Sequence, residues 1–136
     1  NLRIRATLKK TRERRRTQIK SYALKIGKSH LSTKTRGHLH RLFLEAKWFH
    51  NHILAQGDVW NADYKIRRVL VKAKDGSTEE RELKYLSSQM RQEIIGRARD
   101  NIRSLSRLKQ NGHKVGALKF VARIVSIPLN QYDRTH

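Results

Sequence analysis

The outer parts of the chain alternate apolar and polar residues, which is the pattern of a half-buried β-strand. The alternating apolar residues are Tyr22, Leu24 and Ile26 near the start, and Leu118, Phe120, Ala122 and Ile124 near the end. Pro128, the only proline, marks an edge strand or a bend. We therefore expect strands over 22–26 and 115–129, and these two strands could belong to one sheet.

Two segments between these strands repeat apolar residues every three or four positions, which predicts amphipathic helices. The repeating residues are Leu39, Leu42, Phe43, Ala46, Phe49, Ile53 and Leu54 in the first helix, and Met90, Ile94, Ala98, Ile102, Leu105 and Leu108 in the second. Each helix has a capping residue at its start and a stop signal at its end. Ser32 or Thr33 caps the first helix and Gly57 ends it, while Ser87 or Ser88 caps the second helix and Asn111-Gly112 ends it.

A β-hairpin is predicted between the two helices. Residues 66–74 are rich in valine and alternate weakly, and Asp75-Gly76 is a strong signal for a two-residue turn. Three acids follow on the return strand, opposite Lys and Arg of the first strand: Glu79, Glu80 and Glu82. We interpret them as cross-strand charge partners rather than as a catalytic acid cluster. The order of elements is then strand, helix, hairpin, helix, strand.

Charge adds a partner to this picture. The 136 residues contain 32 Lys and Arg against 11 Asp and Glu, which gives a formal net charge of +21. Solubility needs a net charge of only about 2–8, so we expect a nucleic acid, whose phosphates release counterions on binding. The charge is dense over residues 1–21. We expect this basic arm to order on a phosphate backbone, or to form a short edge strand at Leu2, Ile4 and Ala6.

Other chemistries have no pattern in the sequence. There is no cysteine, and no apolar run approaches the roughly 20 residues that span a bilayer. His38 and His40 are two positions apart on a helix, as are His50 and His52. Each pair therefore points about 200° apart, which argues against a shared metal ion. Since no nucleophile elbow or phosphate-binding glycine loop is present either, we predict a binding protein without a metal site or catalytic site in this chain.

The second helix offers the clearest candidate for contact with bases. Its first turn carries unpaired backbone N–H groups and the side chains of Ser88, Gln89 and Gln92, which could bond to base edges in a DNA groove. Its arginines would hold phosphates, and a solvated charged face is the alternative. Aromatic residues near basic ones could stack on bases: Trp48, Phe49, Trp60, Tyr64 and Tyr85. Phe49 also lies on the predicted buried face, so we assign it to the core.

Three segments in order resemble motifs of the transposon-encoded TnpB proteins. Residues 47–55, KWFHNHILA, resemble the A-R-F-V-Y-N-x-x-L stretch of their first helix. Residues 86–92, LSSQMRQ, resemble the P-S-Q-x-L-Q helix start. Residues 109–120, KQNGHKVGALKF, resemble the G-x-x-V-G-x-P-R-F-K strand that follows. The resemblance covers roughly residues 22–132 and rests on the order of all three motifs.

The resemblance implies an α+β fold, in which a small wedge-type β-barrel is interrupted by a helical recognition insertion with a β-hairpin. The expected parts are a basic N-terminal arm over 1–21, a first wedge strand over 22–32, the recognition insertion over 33–110 and wedge strands over 111–136. In a full protein of this family, a RuvC-like nuclease domain and a zinc ribbon would follow His136. The catalytic divalent metal is expected only in that nuclease domain.

The resemblance also implies the nucleic-acid-binding portion of an RNA-guided DNA endonuclease from the cytoplasm of a prokaryote. Its expected partners are a guide RNA and double-stranded target DNA, with a second copy of the protein as a further candidate, and no membrane and no cofactor in this chain. By this likeness Ser88, Gln89 and Gln92 read the short motif beside the target, and Asn51 has a structural role. Contacts to nucleic-acid backbones are expected at Arg3, Arg5, Lys9, Lys10, Arg12, Arg14, Arg15, Arg16, Lys20, Lys25, Lys28, Arg91, Lys114, Lys119 and Arg123.

The chain departs from the family pattern in places. Ala117-Leu118 replaces an aromatic-Pro pair, and Arg91 stands where leucine is usual. Two alternatives therefore stay open. A nuclease-dead relative would act as a guide-directed repressor. The loss of the nuclease carboxylates from the residues after His136 would distinguish it. A structural RNA-binding protein of the ribosomal kind would share the charge and the small size.

Overall fold

The computed structural model describes residues 2–17 and 21–130. The chain divides into two compact units between Leu31 and Ser32, and each is described by itself. Two predicted phosphate contacts, Lys20 and the side chain of Arg16, lie outside the described residues, as does the end of the predicted wedge region at 131–136. The described part has an α+β fold with three α-helices and one antiparallel hairpin.

The first unit contains a helix where the sequence predicted an arm that orders on a phosphate backbone, or a short edge strand. Helix α1 spans Leu2–Thr17 and is followed by extended chain and a single 3₁₀ turn over Lys28–His30. Lys and Arg have long unbranched side chains that favour helix, and this local preference replaces the weak alternation that suggested a strand. The hydroxyl of Thr7 donates to the Arg3 carbonyl oxygen at 2.9 Å, which satisfies it within the helix.

Residues 22–26, predicted to form a strand, are extended but have no strand partner in the described chain. Tyr22, Leu24 and Ile26 are all exposed, so the alternation does not mark a buried face here. A strand needs a neighbouring ladder to pair its backbone groups, and the described residues of the first unit offer none. The predicted first wedge strand is therefore not formed in this structure.

The second unit begins with helix α2, which spans Thr33–Ala55 and confirms the first predicted helix. Ser32 caps it by accepting the N–H of Thr35 at 3.1 Å, and Gly57 follows its end with a φ of +76°. A positive φ is easy only for glycine, so the predicted stop is also confirmed.

The buried face of α2 is wider than the one predicted. The predicted core residues Ala46, Phe49 and Ile53 are buried, but Leu39 is exposed. Glu45 and Trp48 are also buried, and neither was expected in the core. A carboxylate is placed inside only where hydrogen-bond donors are supplied, and three of the donors to Glu45 come from a distant part of the chain.

The hairpin consists of β1, Arg68–Lys72, and β2, Thr78–Glu82, paired from Arg68 opposite Glu82 to Lys72 opposite Thr78. The Ala73 N–H donates to the Ser77 carbonyl at 2.8 Å, and Gly76 has a φ of +87°. The loop therefore has three residues rather than the predicted two, because glycine takes the left-handed position at its third residue. The predicted cross-strand charge pairing is present diagonally: Arg68 lies 3.3 Å from Glu80.

Helix α3 spans Ser88–Gln110 and confirms the second predicted helix. Ser87 is its N-cap, and Gly112 follows the C-cap Asn111 with a φ of +84°. The core lies where α2, α3, the hairpin and the linking loops meet. Its buried apolar residues are Ala46, Trp48, Phe49, Ile53, Val59, Val69, Leu83, Leu86, Ile94, Ile95 and Ala98.

The segment over 113–130 is extended, but it is not the predicted pleated strand. Its partly buried residues recur every third position: Val115, Leu118, Val121, Ile124 and Ile127. Phe120 and Ala122, predicted to share the face of Leu118 and Ile124, are exposed. A repeat of three is typical of extended chain without a ladder, which rests on helices rather than pairing with strands. The described residues therefore contain a two-stranded sheet and no closed barrel.

Candidate nucleic-acid interface

The start of α3 brings together the three residues predicted to read bases. Ser88, Gln89 and Gln92 are all exposed, and Gln92 follows the other two by four and three positions, so they share one helix face. The first N–H groups of a helix lack intrahelical partners, and Ser87 Oγ accepts one of them, from Met90, at 3.2 Å. The helix dipole adds partial positive charge at this end, which favours a phosphate nearby.

A buried carboxylate on α2 fixes the chain immediately before this helix start. Glu45 is fully buried, and its Oε2 accepts the N–H groups of Tyr85 at 2.8 Å and Leu86 at 2.9 Å. Its Oε1 accepts the N–H of Lys84 at 2.9 Å and the Nε–H of Arg41 at 3.1 Å. Charge-assisted bonds of this kind are strong, so Glu45 holds the residues that lead into the Ser87 cap.

Sequence reasoning missed Glu45 because its partners lie about forty positions away in the chain. The available signal was an acid that interrupts the apolar stretch of a helix, between Leu44 and Ala46. Such a residue is buried only when it is bonded, and a run of backbone N–H groups leading into another helix supplies those bonds here.

Aromatic and cationic side chains surround the helix start. The rings of His38 and Tyr85 lie 4.9 Å apart between centroids and are tilted by 37°. The guanidinium groups of Arg41 and Arg81 lie over the Trp48 ring, 4.7 and 4.8 Å from its centroid. Trp48 is therefore covered and belongs to the core, which corrects its prediction as a base-stacking residue, whereas Tyr85 stays exposed.

Arg91, predicted to contact a nucleic-acid backbone, is directed into the protein instead. Its side chain is buried, with 7% of the residue exposed, and its Nη1 donates to the Ile66 carbonyl oxygen. Burial lowers the pKa of Arg91 and nearby Arg67 lowers it further, while Asp63 and Glu45 act in the opposite direction. The guanidinium occupies an interior position on α3. This placement argues against the predicted phosphate contact.

Asn51 ties the extended segment to α2. Its Nδ2 donates to the Val121 carbonyl at 2.9 Å, and its Oδ1 accepts the Val121 N–H at 2.9 Å. The amide side chain thus bonds the Val121 backbone as a neighbouring strand would, and these two bonds give Asn51 a structural role. A second tie comes from α3, where Arg97 Nη1 donates to the carbonyl and the hydroxyl of Ser126 at 3.0 and 3.1 Å.

The other predicted backbone contacts fall into two exposed sets. In the first unit the described members are Arg3, Arg5, Lys9, Lys10, Arg12, Arg14, Arg15, Lys25 and Lys28. In the second unit Lys114, Lys119 and Arg123 occupy exposed positions of the extended segment, between its partly buried residues. All of these cations are accessible to a polyanion.

A second aromatic position lies beside the middle of α3. Trp60 is 47% exposed, and the guanidinium groups of Arg103 and Arg99 lie 4.9 and 5.8 Å from its centroid. Arg99 also donates to the carbonyl oxygens of Val59 at 3.2 Å and Trp60 at 2.6 Å. These arginines thus hold the loop after α2 against α3. This role is structural, whereas the sequence analysis predicted that the arginines of this helix contact phosphates.

The histidines and acids of the described residues include no group of three that could hold a metal ion. His52 has a structural bond instead: its Nδ1 accepts the Leu70 N–H at 3.1 Å, and burial lowers its pKa. Within the described residues, no helix is both long enough and apolar enough to cross a membrane.

Comparison of the chain with protein-family models, with curated proteins and with solved structures found no match.

Proposed function

We propose that this chain is the guide-RNA-binding and target-DNA-binding portion of a TnpB-like RNA-guided DNA endonuclease. The observation that supports it best is the start of α3, where Ser88, Gln89 and Gln92 are exposed on one face and Glu45 holds the preceding residues. These residues lie inside the second of the three ordered TnpB-like motifs. The net charge of +21 supports a nucleic acid as the partner.

In this proposal the first turn of α3 enters the major groove of the duplex beside the target. A glutamine amide can donate to N7 and accept from N6 of one adenine, so Gln89 and Gln92 suit direct reading of a short motif. Exposed cations of the second unit hold phosphates and fix the position of the duplex without reading its sequence. Base pairing with the guide RNA then reads the rest of the target.

The wedge-type barrel is part of the same proposal. Residues 22–26 and 113–130 are extended, and they carry exposed apolar side chains, among them Tyr22, Leu24 and Val125. Strands of the remaining protein would pair with them and cover these side chains. The nuclease domain with its divalent metal would belong to that remaining protein, so the chain itself binds and does not cleave.

One purification and one binding assay test the proposal. RNA that copurifies with the protein from its source cells is expected to be a dominant species with a constant scaffold and a variable end. Ribosomal or heterogeneous RNA would overturn the proposed RNA-guided function and favour a structural RNA-binding protein. Gln89→Ala and Gln92→Ala are expected to reduce discrimination between adjacent motifs by about 1–3 kcal/mol.

The matched control is Gln110→Ala, an exposed glutamine at the opposite end of the same helix. It removes an equal side chain and is expected to leave motif discrimination unchanged. Equal losses on every duplex sequence for Gln89→Ala and Gln92→Ala would contradict the assignment of the helix start. A protein that binds guide RNA and duplex but lacks the nuclease carboxylates would be the guide-directed repressor.

A further inference from the structure

An open groove in the second unit lies between α2, the hairpin and the extended segment. Its volume is about 460 Å³, and its walls are mostly apolar. Trp48, Val71 and Phe120 contribute one side chain from each of the three elements. The two hydrogen bonds between Asn51 and Val121 join α2 to the extended segment at this groove, so its opposite walls are held together.

Two of the lining residues are large, apolar and incompletely covered. Phe120 is 66% exposed and Leu70 is 52% exposed. Phe120 was predicted to lie on the apolar face of a strand, and the three-residue repeat of its segment directs it outward instead. Single exposed apolar residues are common on protein surfaces and need no explanation. Large apolar side chains that share one groove, in contrast, indicate a ligand with an apolar face.

The charged lining residues indicate that the ligand is an anion. Lys47 and Lys72 line the groove, and no carboxylate does. Neither lysine forms an ion pair within the part of the chain that the structure describes. Glu79 and Glu80 lie opposite Val71 and Leu70 in the hairpin, but these carboxylates pair with arginines at 2.9 and 3.3 Å.

We infer that this groove takes one unstacked nucleotide of a single-stranded nucleic acid, distinct from the duplex contacts at the start of α3. The base lies against Phe120 and the apolar wall, because every base has a face that can stack on an aromatic ring. The phosphates on either side of it contact Lys47 and Lys72. This inference rests on the proposed nucleic-acid binding and adds a site for an unpaired base.

The test separates the base from the phosphates. Binding of a short oligouridylate is compared with binding of an abasic oligoribonucleotide of the same length, which carries the same charge. Phe120→Ala is expected to weaken binding of the oligouridylate about tenfold, within the range of base–aromatic stacking, and to leave the abasic strand unchanged. Lys47→Ala and Lys72→Ala are expected to weaken both strands and to reduce the salt dependence of binding.

Matched variants control for general effects. Leu129→Ala removes a comparably exposed apolar residue from the same segment outside the groove, and Lys74→Ala removes a hairpin lysine that does not line it. Ala55→Phe fills the groove without removing charge and is expected to reproduce the selective loss of Phe120→Ala. A deoxyuridine strand compared with the RNA identifies which nucleic acid supplies the base.

Three outcomes would decide the matter. Selective loss on base-containing strands for Phe120→Ala and Ala55→Phe supports the site. An equal loss of affinity for intact and abasic strands, or no loss with either variant, overturns the proposed nucleotide site. The proposed reading of the adjacent motif by Gln89 and Gln92 is not affected by that outcome. Failure of the wild-type chain to bind any nucleic acid would overturn the proposed function as well.

Discussion

Replacement of Glu45 by glutamine tests whether this carboxylate holds the approach to α3. The substitution keeps the size of the side chain but replaces one acceptor oxygen by a donating NH₂ group. In the native protein each oxygen accepts two bonds, so either orientation of the amide places a donor against two N–H groups. Glutamine therefore breaks two of the four bonds and removes the charge from the others.

The cost can be worked from these contacts. Arg41 is partly exposed and can turn its Nε–H to water, so the amide is expected to place its NH₂ group against Arg41 and the Lys84 N–H. Leaving the Lys84 N–H unsatisfied costs about 1–3 kcal/mol. Since domains are stable by about 5–15 kcal/mol, Glu45→Gln is expected to fold with a much lower free energy of unfolding. Urea denaturation measures this difference, and hydrogen exchange should show that the Lys84 amide loses protection.

The control is Glu80→Gln on β2, a carboxylate that is more than half exposed and pairs with Arg68. Surface substitutions of this kind change stability by about 0.5 kcal/mol or less. A Glu45→Gln variant as stable as Glu80→Gln would refute the reasoning, because it would mean that the four bonds to the buried carboxylate carry no net stabilisation.

Three further predictions concern single residues of the second unit. Asn51→Ala removes both bonds to Val121 and is expected to cost about 1–3 kcal/mol in urea denaturation and to increase proteolysis after Gly112. Because the pKa of folded His52 lies below its ordinary value of 6.5, stability that is present above pH 6.5 is lost as the pH falls through the folded pKa. His52→Asn keeps an acceptor for the Leu70 N–H, and denaturation at several pH values should show a shallower loss of stability in acid. Arg91→Met removes a buried guanidinium whose Nε has no partner, and thermal unfolding is expected to show a variant at least as stable as the native protein.

The helices and the hairpin of the second unit could be predicted because their signals are local. Apolar spacing, serine caps and glycine stops defined α2 and α3 closely, and the Asp75-Gly76 pair located the hairpin turn. The exposed residues at the start of α3 followed from the same periodicity. Each of these features depends on residues within a few positions of one another.

The features that the sequence did not predict depend on whether a residue finds a partner far away in the chain. Alternation at 22–26 and 115–129 predicts a strand only where another strand pairs with it, and in the described residues none does. The extended segment instead follows the surface of the helices with a repeat of three. Glu45 was missed and Arg91 was assigned to a nucleic-acid backbone, because their burial is set by backbone groups 25 to 41 positions away.

Polar side chains of helix α2 form hydrogen bonds to the backbone of the other elements of the second unit and so hold these elements to the helix. Glu45 holds the residues before α3, Asn51 holds Val121, and His52 holds β1 at Leu70. Apolar contact alone would allow these elements to shift against the helix, since burial has no direction, whereas a hydrogen bond fixes both position and orientation. With a modest apolar content and a high positive charge, the domain gains order at its candidate binding surfaces from these directional bonds. The same helix therefore sets the positions of the α3 start and of the groove beside Phe120.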